Sequence, residues 1–280
     1  MNIYRGCSHG CIYCDSRSRC YHFTHDFEDI EVKQNAPELL EAALRKKRRR
    51  CMIGTGSMGD PYVPAEKELC LTRRCLETIE RHGFGATVHT KSNLVLRDLD
   101  LLERINRKTK AVVQMTLTTA DDALCKIIEP GVCPTSRRLE VLAECKDRGI
   151  PTVVWLSPIL PFINDTQENI TGILDGCIRT GVKAIICFGM GLTLREGNRE
   201  YFYASLEKAT AVDSRFSELK DRYTRTFGLS YEATSPHNQT LMSQLSDTCQ
   251  KNAIQLGTDS IFKWMEEFPE DREQPTLFDF

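Results

Sequence analysis

The sequence predicts an α/β fold built around a parallel sheet, and three observations predict it. Six short apolar runs alternate with amphipathic stretches of helical period through residue 196. The spacing between runs suits right-handed strand–helix–strand units, in which each helix returns the chain to start the next parallel strand. Beyond Gly197 the alternation stops and charged helical segments take over. The pattern alone fits an open doubly wound sheet as well as a barrel.

Asn2-Ile3-Tyr4 is the first run, and it leads directly into Cys7-Ser8-His9-Gly10-Cys11-Ile12-Tyr13-Cys14. Only six residues precede Cys7, so Met1 is expected to be internal to a longer reading frame. Three cysteines separated by three and then two residues can fold their sulfurs around one cubane, and thiolates are the ligands iron–sulfur clusters take. An electron-transferring 4Fe–4S cluster normally has four such ligands. Three leave one iron open to a small molecule. A zinc site is the alternative, with His9 or Cys20 as fourth ligand, although zinc sites usually pair their cysteines as Cys-x2-Cys.

The remaining elements follow in order. Residues 35–50 read as a helix, with Ala36, Leu39, Leu40, Ala43 and Leu44 as its apolar stripe and Pro37 in its first turn. Its cationic end, Arg45-Lys46-Lys47-Arg48-Arg49-Arg50, complements the helix dipole; a nucleic-acid patch is the other reading. Cys51-Met52-Ile53 is the second strand and runs into Gly54-Thr55-Gly56-Ser57-Met58-Gly59-Asp60-Pro61-Tyr62. Small residues there let a ligand approach backbone at the strand's C-terminal end, where barrel enzymes place their sites. A helix over 66–82 closes at Gly83, and the strand over 86–90 ends at Lys91. A helix over 98–107 precedes a strand over 111–118 that offers the hydroxyls of Thr116 and Thr118. Residues 121–128 are helical until Glu129-Pro130-Gly131 breaks them. Another helix covers 137–148, and strands cover 151–157 and 183–188. Between those strands, Asp165 is the expected N-cap of a helix ending at 179. One long helix is expected over 200–226 and another over 237–257. The acidic, Pro-containing residues 266–280 are expected to form a flexible tail.

Composition sets bounds. The chain of 280 residues is long enough for one large domain with an extension. No apolar run has membrane-spanning length. Thirteen cysteines without a secretory signal predict a reducing, cytoplasmic setting. A net charge of −2 gives no global nucleic-acid footprint.

Cys-x3-Cys-x2-Cys with Tyr13 before the last cysteine resembles the signature of the radical S-adenosylmethionine (SAM) superfamily. The resemblance selects a (βα)6 partial TIM barrel over 1–196, with an α-rich extension over 197–265 and the tail over 266–280. It implies a 4Fe–4S cluster on Cys7, Cys11 and Cys14, and SAM chelated at the open iron and cleaved to a 5′-deoxyadenosyl radical. The implied cofactor-binding residues are Tyr13, Gly54, Gly56, Ser57, Asp60, Lys91, Thr116 and Arg195. Within them, the Gly-rich segment holds the SAM ammonium and Lys91 reaches its carboxylate. An electron donor such as flavodoxin or ferredoxin is implied as a partner.

Tyr4-Arg5-Gly6-Cys7, Gly59-Asp60-Pro61-Tyr62, Glu129-Pro130-Gly131 with Arg138, and Ser157-Pro158-Ile159 narrow this to a likeness to the spore photoproduct lyase-like group. That likeness implies action on damaged or modified DNA, with a hydrogen-donating cysteine in the segment after the second strand. This chain has Ser57-Met58-Gly59 there, so Cys133 is the candidate donor. In the tail, Gln274, Leu277 and Phe278 resemble the Gln-x-x-Leu-Phe peptide that docks bacterial repair proteins on the DNA sliding clamp. The alternatives are radical modification of RNA, a peptide or a small metabolite, or a non-catalytic metal-binding, clamp-docking module.

Overall fold

A computed structural model describes residues 1–269. The chain opens with β1 (Tyr4–Arg5) and β2 (Glu31–Val32), followed by α1 (Ala36–Lys46). Five parallel strands come next: β3 (Met52–Thr55), β4 (Gly85–Thr90), β5 (Ala111–Thr116), β6 (Thr152–Trp155) and β7 (Ala184–Ile186). They are neighbours in chain order. The connections hold α2 (Glu66–Leu69), α3 (Leu71–His82), α4 (Leu99–Lys108), α5 (Asp122–Ile128), α6 (Thr135–Asp147) and α7 (Gln167–Thr180). After β7 come β8 (Gly191–Thr193), α8 (Asn198–Ala209), α9 (Leu219–Phe227), β9 (Glu232–Thr234), α10 (Asn238–Lys251) and α11 (Thr258–Glu266).

Side-chain alternation explains why this sheet is a barrel wall and not a doubly wound layer. Ala86, Val88, Val113, Met115, Val154 and Ile185 face one way, and α1, α3, α4, α6, α7 and α10 all pack into the same core against them. Val112, Val153, Ala184 and Ile186 face the other way and meet Ile261 and Met265 of α11. Helices thus cover the outer face, and α11 plugs the inner one. A doubly wound sheet has its βα-unit helices on both faces and a reversal of strand order; neither occurs here.

Several expectations are corrected. The first strand does not join the sheet. Tyr4 and Arg5 pair antiparallel with Val32 and Glu31, and the Met1 amine donates to the Gly54 carbonyl at 2.6 Å, holding this ribbon beside β3. The helix over 66–82 breaks at Cys70, which adopts a left-handed conformation (φ 49°). The break lets the buried Glu66 carboxylate accept the backbone N–H of Thr72 at 2.9 Å and of Arg73 at 3.4 Å, so it caps α3. Thr166, not Asp165, caps α7; Asp165 instead accepts from the Phe162 N–H and the Ser235 hydroxyl. The long helix over 200–226 is two, α8 and α9, because Asp213 caps a separate turn between them through the Arg215 N–H. Helix α11 and the short β8–β9 pair are additions.

No helix among the described residues is long and apolar enough to cross a membrane. Gln274, Leu277 and Phe278 lie outside the described residues.

Candidate active site

Backbone bonds to three parts of the chain shape the cysteine loop. The Cys7 N–H donates to the Phe27 carbonyl at 3.0 Å and the Ile12 N–H to the Ile128 carbonyl at 3.0 Å. The Gly131 N–H donates to the His9 carbonyl at 2.8 Å. Only glycine fits at 131, since a Cβ would lie 2.6 Å from that oxygen. Behind the loop a second core forms, in which Cys11, Ile12 and Tyr13 pack with Phe202, Leu206 and Tyr223 of α8 and α9.

Cys7, Cys11 and Cys14 line one cavity, together with His9, Gly56, Ser57, Met58, Asp60, His89, Thr90, Lys91 and Thr116. It sits at the C-terminal ends of β3, β4 and β5, where the strand–helix loops converge. Among the described residues no three His, Cys, Asp or Glu side chains gather tightly enough for one metal ion.

Asp60 fastens this cavity together. Its carboxylate accepts from the Thr90 hydroxyl at 2.6 Å and from the backbone N–H groups of Tyr62 and Lys91, each at 2.8 Å. His9 Nδ1 stands 3.4 Å away. One carboxylate thereby joins the Gly-rich loop, the end of β4 and the cysteine loop. Gly56 (φ +100°) passes so close to β4 that a Cβ there would collide with the His89 carbonyl oxygen.

The electrostatics complement the geometry. Burial pushes the Cys7 thiol up to about 11 and raises Cys11 further. Burial favours the neutral thiol here, and a bound cation is what would favour the thiolate. Among the described residues, the Lys91 ammonium makes no hydrogen bond or ion pair; it stands 5.9 Å from the Tyr13 ring. Burial pulls its affinity for the proton down, but Cys11 and Glu129 outweigh that and keep it above the usual lysine range. A cation without a hydrogen-bond partner in a thiol-lined cavity can pair with an incoming anionic group. His89 is neutral, lowered to about 3 by burial and then by Lys91, and its Nε2 lies 2.8 Å from the Thr116 hydroxyl.

Not every expected residue reaches the cavity. Gly54 lies within β3 with its carbonyl bound to the Met1 amine. Tyr13 packs behind the loop and donates to Glu129. Arg195 lies at the exposed rim, bonded to Tyr231 at 2.7 Å and to Cys20 at 3.4 Å, with Asp15 3.3 Å away. Cys133 lies behind the Lys91 backbone, donating to its carbonyl at 3.3 Å, and lines a neighbouring pocket. These placements follow from the fold: Gly54 belongs to the strand interior, and Arg195 follows β8 away from the sheet.

Sequence reasoning missed the ion pair that carries the loop. Arg138 and Glu129 are fully buried and 2.5 Å apart. Arg138 also donates to the Thr116 and Cys133 carbonyls, each at 3.0 Å. The pair joins Tyr13 to the end of β5. The motif containing Glu129 and Arg138 was visible, but nothing local told that they meet.

The family model described as the radical SAM superfamily matches residues 1–175. An uncharacterized protein of Mycobacterium tuberculosis is 29% identical over 79% of this chain and 67% of its own length. A radical SAM Nalpha-GlyT isomerase of Pseudomonas phage M6 is 25% identical over 64% of this chain and 36% of its own. Among solved structures, a spore photoproduct lyase variant superposes with TM-score 0.58 at 14% identity, covering 90% of this chain and 72% of that one. The same lyase complexed with dinucleoside spore photoproduct gives 0.52, covering 83% and 74%. SuiB of Streptococcus suis, bound to its precursor peptide, gives 0.50 at 14% identity; the match covers 91% of this chain and about half (47%) of SuiB.

Proposed function

The chain belongs to the radical SAM superfamily, and on that premise we propose that it is a radical SAM enzyme acting on a base in damaged or modified DNA. The superfamily's cofactors are a 4Fe–4S cluster and SAM. The observation that carries the reading is the thiol-ringed cavity with an unpaired lysine at the C-terminal ends of parallel strands. The residues present fit both groups: three thiols for three irons, and the Lys91 ammonium for a carboxylate.

With both groups bound and an electron supplied from outside, their chemistry is reductive cleavage of SAM to a 5′-deoxyadenosyl radical that removes a substrate hydrogen atom. The chain's own residues position and protect. Cys7, Cys11 and Cys14 supply ligands. Asp60 holds the Gly-rich loop against β4, so Gly56 and Ser57 stay at the cavity wall. Lys91 orients an anionic group. Neutral His89, bonded to Thr116, offers a polar but uncharged surface. Residues 1–196 are proposed as the cofactor-bearing unit and 197–265 as its extension.

Gly56→Ala should cut 5′-deoxyadenosine formation about a hundredfold, because it forces the loop away from β4. Chromatography of single turnovers checks this.

DNA is supported by the lyase structure complexed with a dinucleoside photoproduct. Its test is isotopic. Ultraviolet-treated DNA carrying deuterated thymine should pass deuterium into 5′-deoxyadenosine under anaerobic turnover. Deuterium arriving instead from labelled RNA or peptide would sink the DNA reading and leave the radical chemistry standing. The same reading extends to the tail, where Gln274, Leu277 and Phe278 would tether the enzyme to a sliding clamp. Unchanged anisotropy of a labelled 274–280 peptide with clamp present removes that tether.

A further inference from the structure

The inner face of the sheet continues beyond the cofactor cavity as an aromatic wall. His89 lines the cavity and stacks on Trp155, with ring centroids 4.7 Å apart and an interplanar angle of 18°. Trp155 in turn meets Phe188, at 5.8 Å and 59°. Cys187 packs into the outer core, so its neighbour Phe188 falls on the inner side. Strand β7 is the last of the sheet. The wall therefore runs from the cavity to β7, whose outer edge is bridged by Gln255, and Phe188, just past the C-terminal end of that strand, is 67% exposed.

Two further features make the wall a built surface. Trp155 Nε1 donates to the Gln114 side-chain oxygen at 2.6 Å, and Gln114 Nε2 donates to the Thr87 hydroxyl at 2.7 Å. This buried relay fixes the plane of the indole. Below it, Val153, Ile186, Ile261 and Met265 fill the lumen, with Trp264 packed against them. The wall thus has a floor, and a ring laid on it stops at the height of His89 and the cavity.

We propose that Trp155 and Phe188 form a stacking platform that receives an unstacked nucleobase and presents it beside the cofactor cavity. This rests on the radical SAM reading for the cavity's role, but the binding step stands apart from turnover. The indole N–H and the Gln114 amide are engaged with each other and His89 covers one indole face, so the wall offers the exposed Phe188 ring beside a half-buried indole, with few free donors. Stacking of this kind is tolerant of base identity because every base has a π-face. The platform would then secure a planar ring, while discrimination of the lesion falls to other groups. An aromatic peptide side chain is the competing occupant.

The chain has two tryptophans, so Trp264→Phe leaves Trp155 as the sole indole reporter. Titrating the reconstituted full chain with a short single-stranded oligothymidylate should quench Trp155 fluorescence saturably. Phe188→Ala and Phe188→Leu should weaken that binding about tenfold or more, while Phe188→Tyr keeps it. The leucine variant separates loss of the ring from loss of apolar bulk. Anisotropy of a labelled oligothymidylate with Phe188 variants, Trp264 intact, makes the same comparison should Trp264→Phe disturb folding. No quenching, or equal binding by all the Phe188 variants, would overturn the proposal. Quenching by a tyrosine-containing peptide with none by the oligonucleotide would overturn it in favour of a peptide. Loss of SAM cleavage with stacking preserved would count against the radical reading and leave the platform standing.

Discussion

Cys7→Ala, Cys11→Ala and Cys14→Ala should each drop bound iron and sulfide to a small fraction of the wild-type level. The visible absorbance of an anaerobically reconstituted cluster should go with them. All three thiols line the same cavity, and no fourth cysteine lines it among the described residues to take over. Cys20, the nearest in sequence, is exposed and bonded to Arg195. The loop's backbone anchors at Phe27, Ile128 and Gly131 do not involve the cysteine side chains. Folding should therefore survive, and circular dichroism spectra should match wild type. A variant that retains a full iron complement would remove that cysteine from the ligand set.

Arg138→Ala should cost about 3–5 kcal/mol of stability in denaturant unfolding, the range for breaking a buried ion pair from one side. It leaves Glu129 fully buried, with Tyr13 as a partner but no compensating guanidinium. Burial alone would push the Glu129 carboxyl up; Arg138 and then Lys91 outweigh it and hold it below the usual glutamate range. A depressed folded value means that this stabilisation is fully present above the unfolded glutamate value, near about 4.3. It fades as pH falls through the folded value. Glu129→Leu combined with Arg138→Met should recover much of the loss, because an apolar pair of similar volume removes the uncompensated charge. A cost below about 1 kcal/mol for Arg138→Ala, the level of an exposed pair, would show that the site is wet.

What was legible in the sequence was local. The cysteine spacing, the glycines from Gly54 to Gly59 and Lys91 at a strand end each carry their meaning within a few residues. The strand and helix periods gave the parallel sheet for the same reason. The break at Cys70 was hidden because Glu66 reads as an ordinary first-turn acid, and only the fold shows its carboxylate capping Thr72 and Arg73. The site's fastenings were hidden because they are long-range. Asp60 meets His9 across 51 residues of chain, and Trp155 meets His89 across 66. Helix α11 falls almost wholly within the expected α-rich extension but was not singled out there, and its Ile261 and Met265 are core. Cys133 read as a pocket residue from its place after Gly131, but its thiol is turned to the Lys91 carbonyl.

The most direct test of the central claim is anaerobic incubation of the reconstituted wild-type protein with SAM and dithionite, followed by chromatography. 5′-Deoxyadenosine and methionine should form in equal amounts, dependent on reductant. A protein that carries a reduced cluster and binds SAM, yet forms no 5′-deoxyadenosine with or without DNA, RNA or peptide, would contradict it.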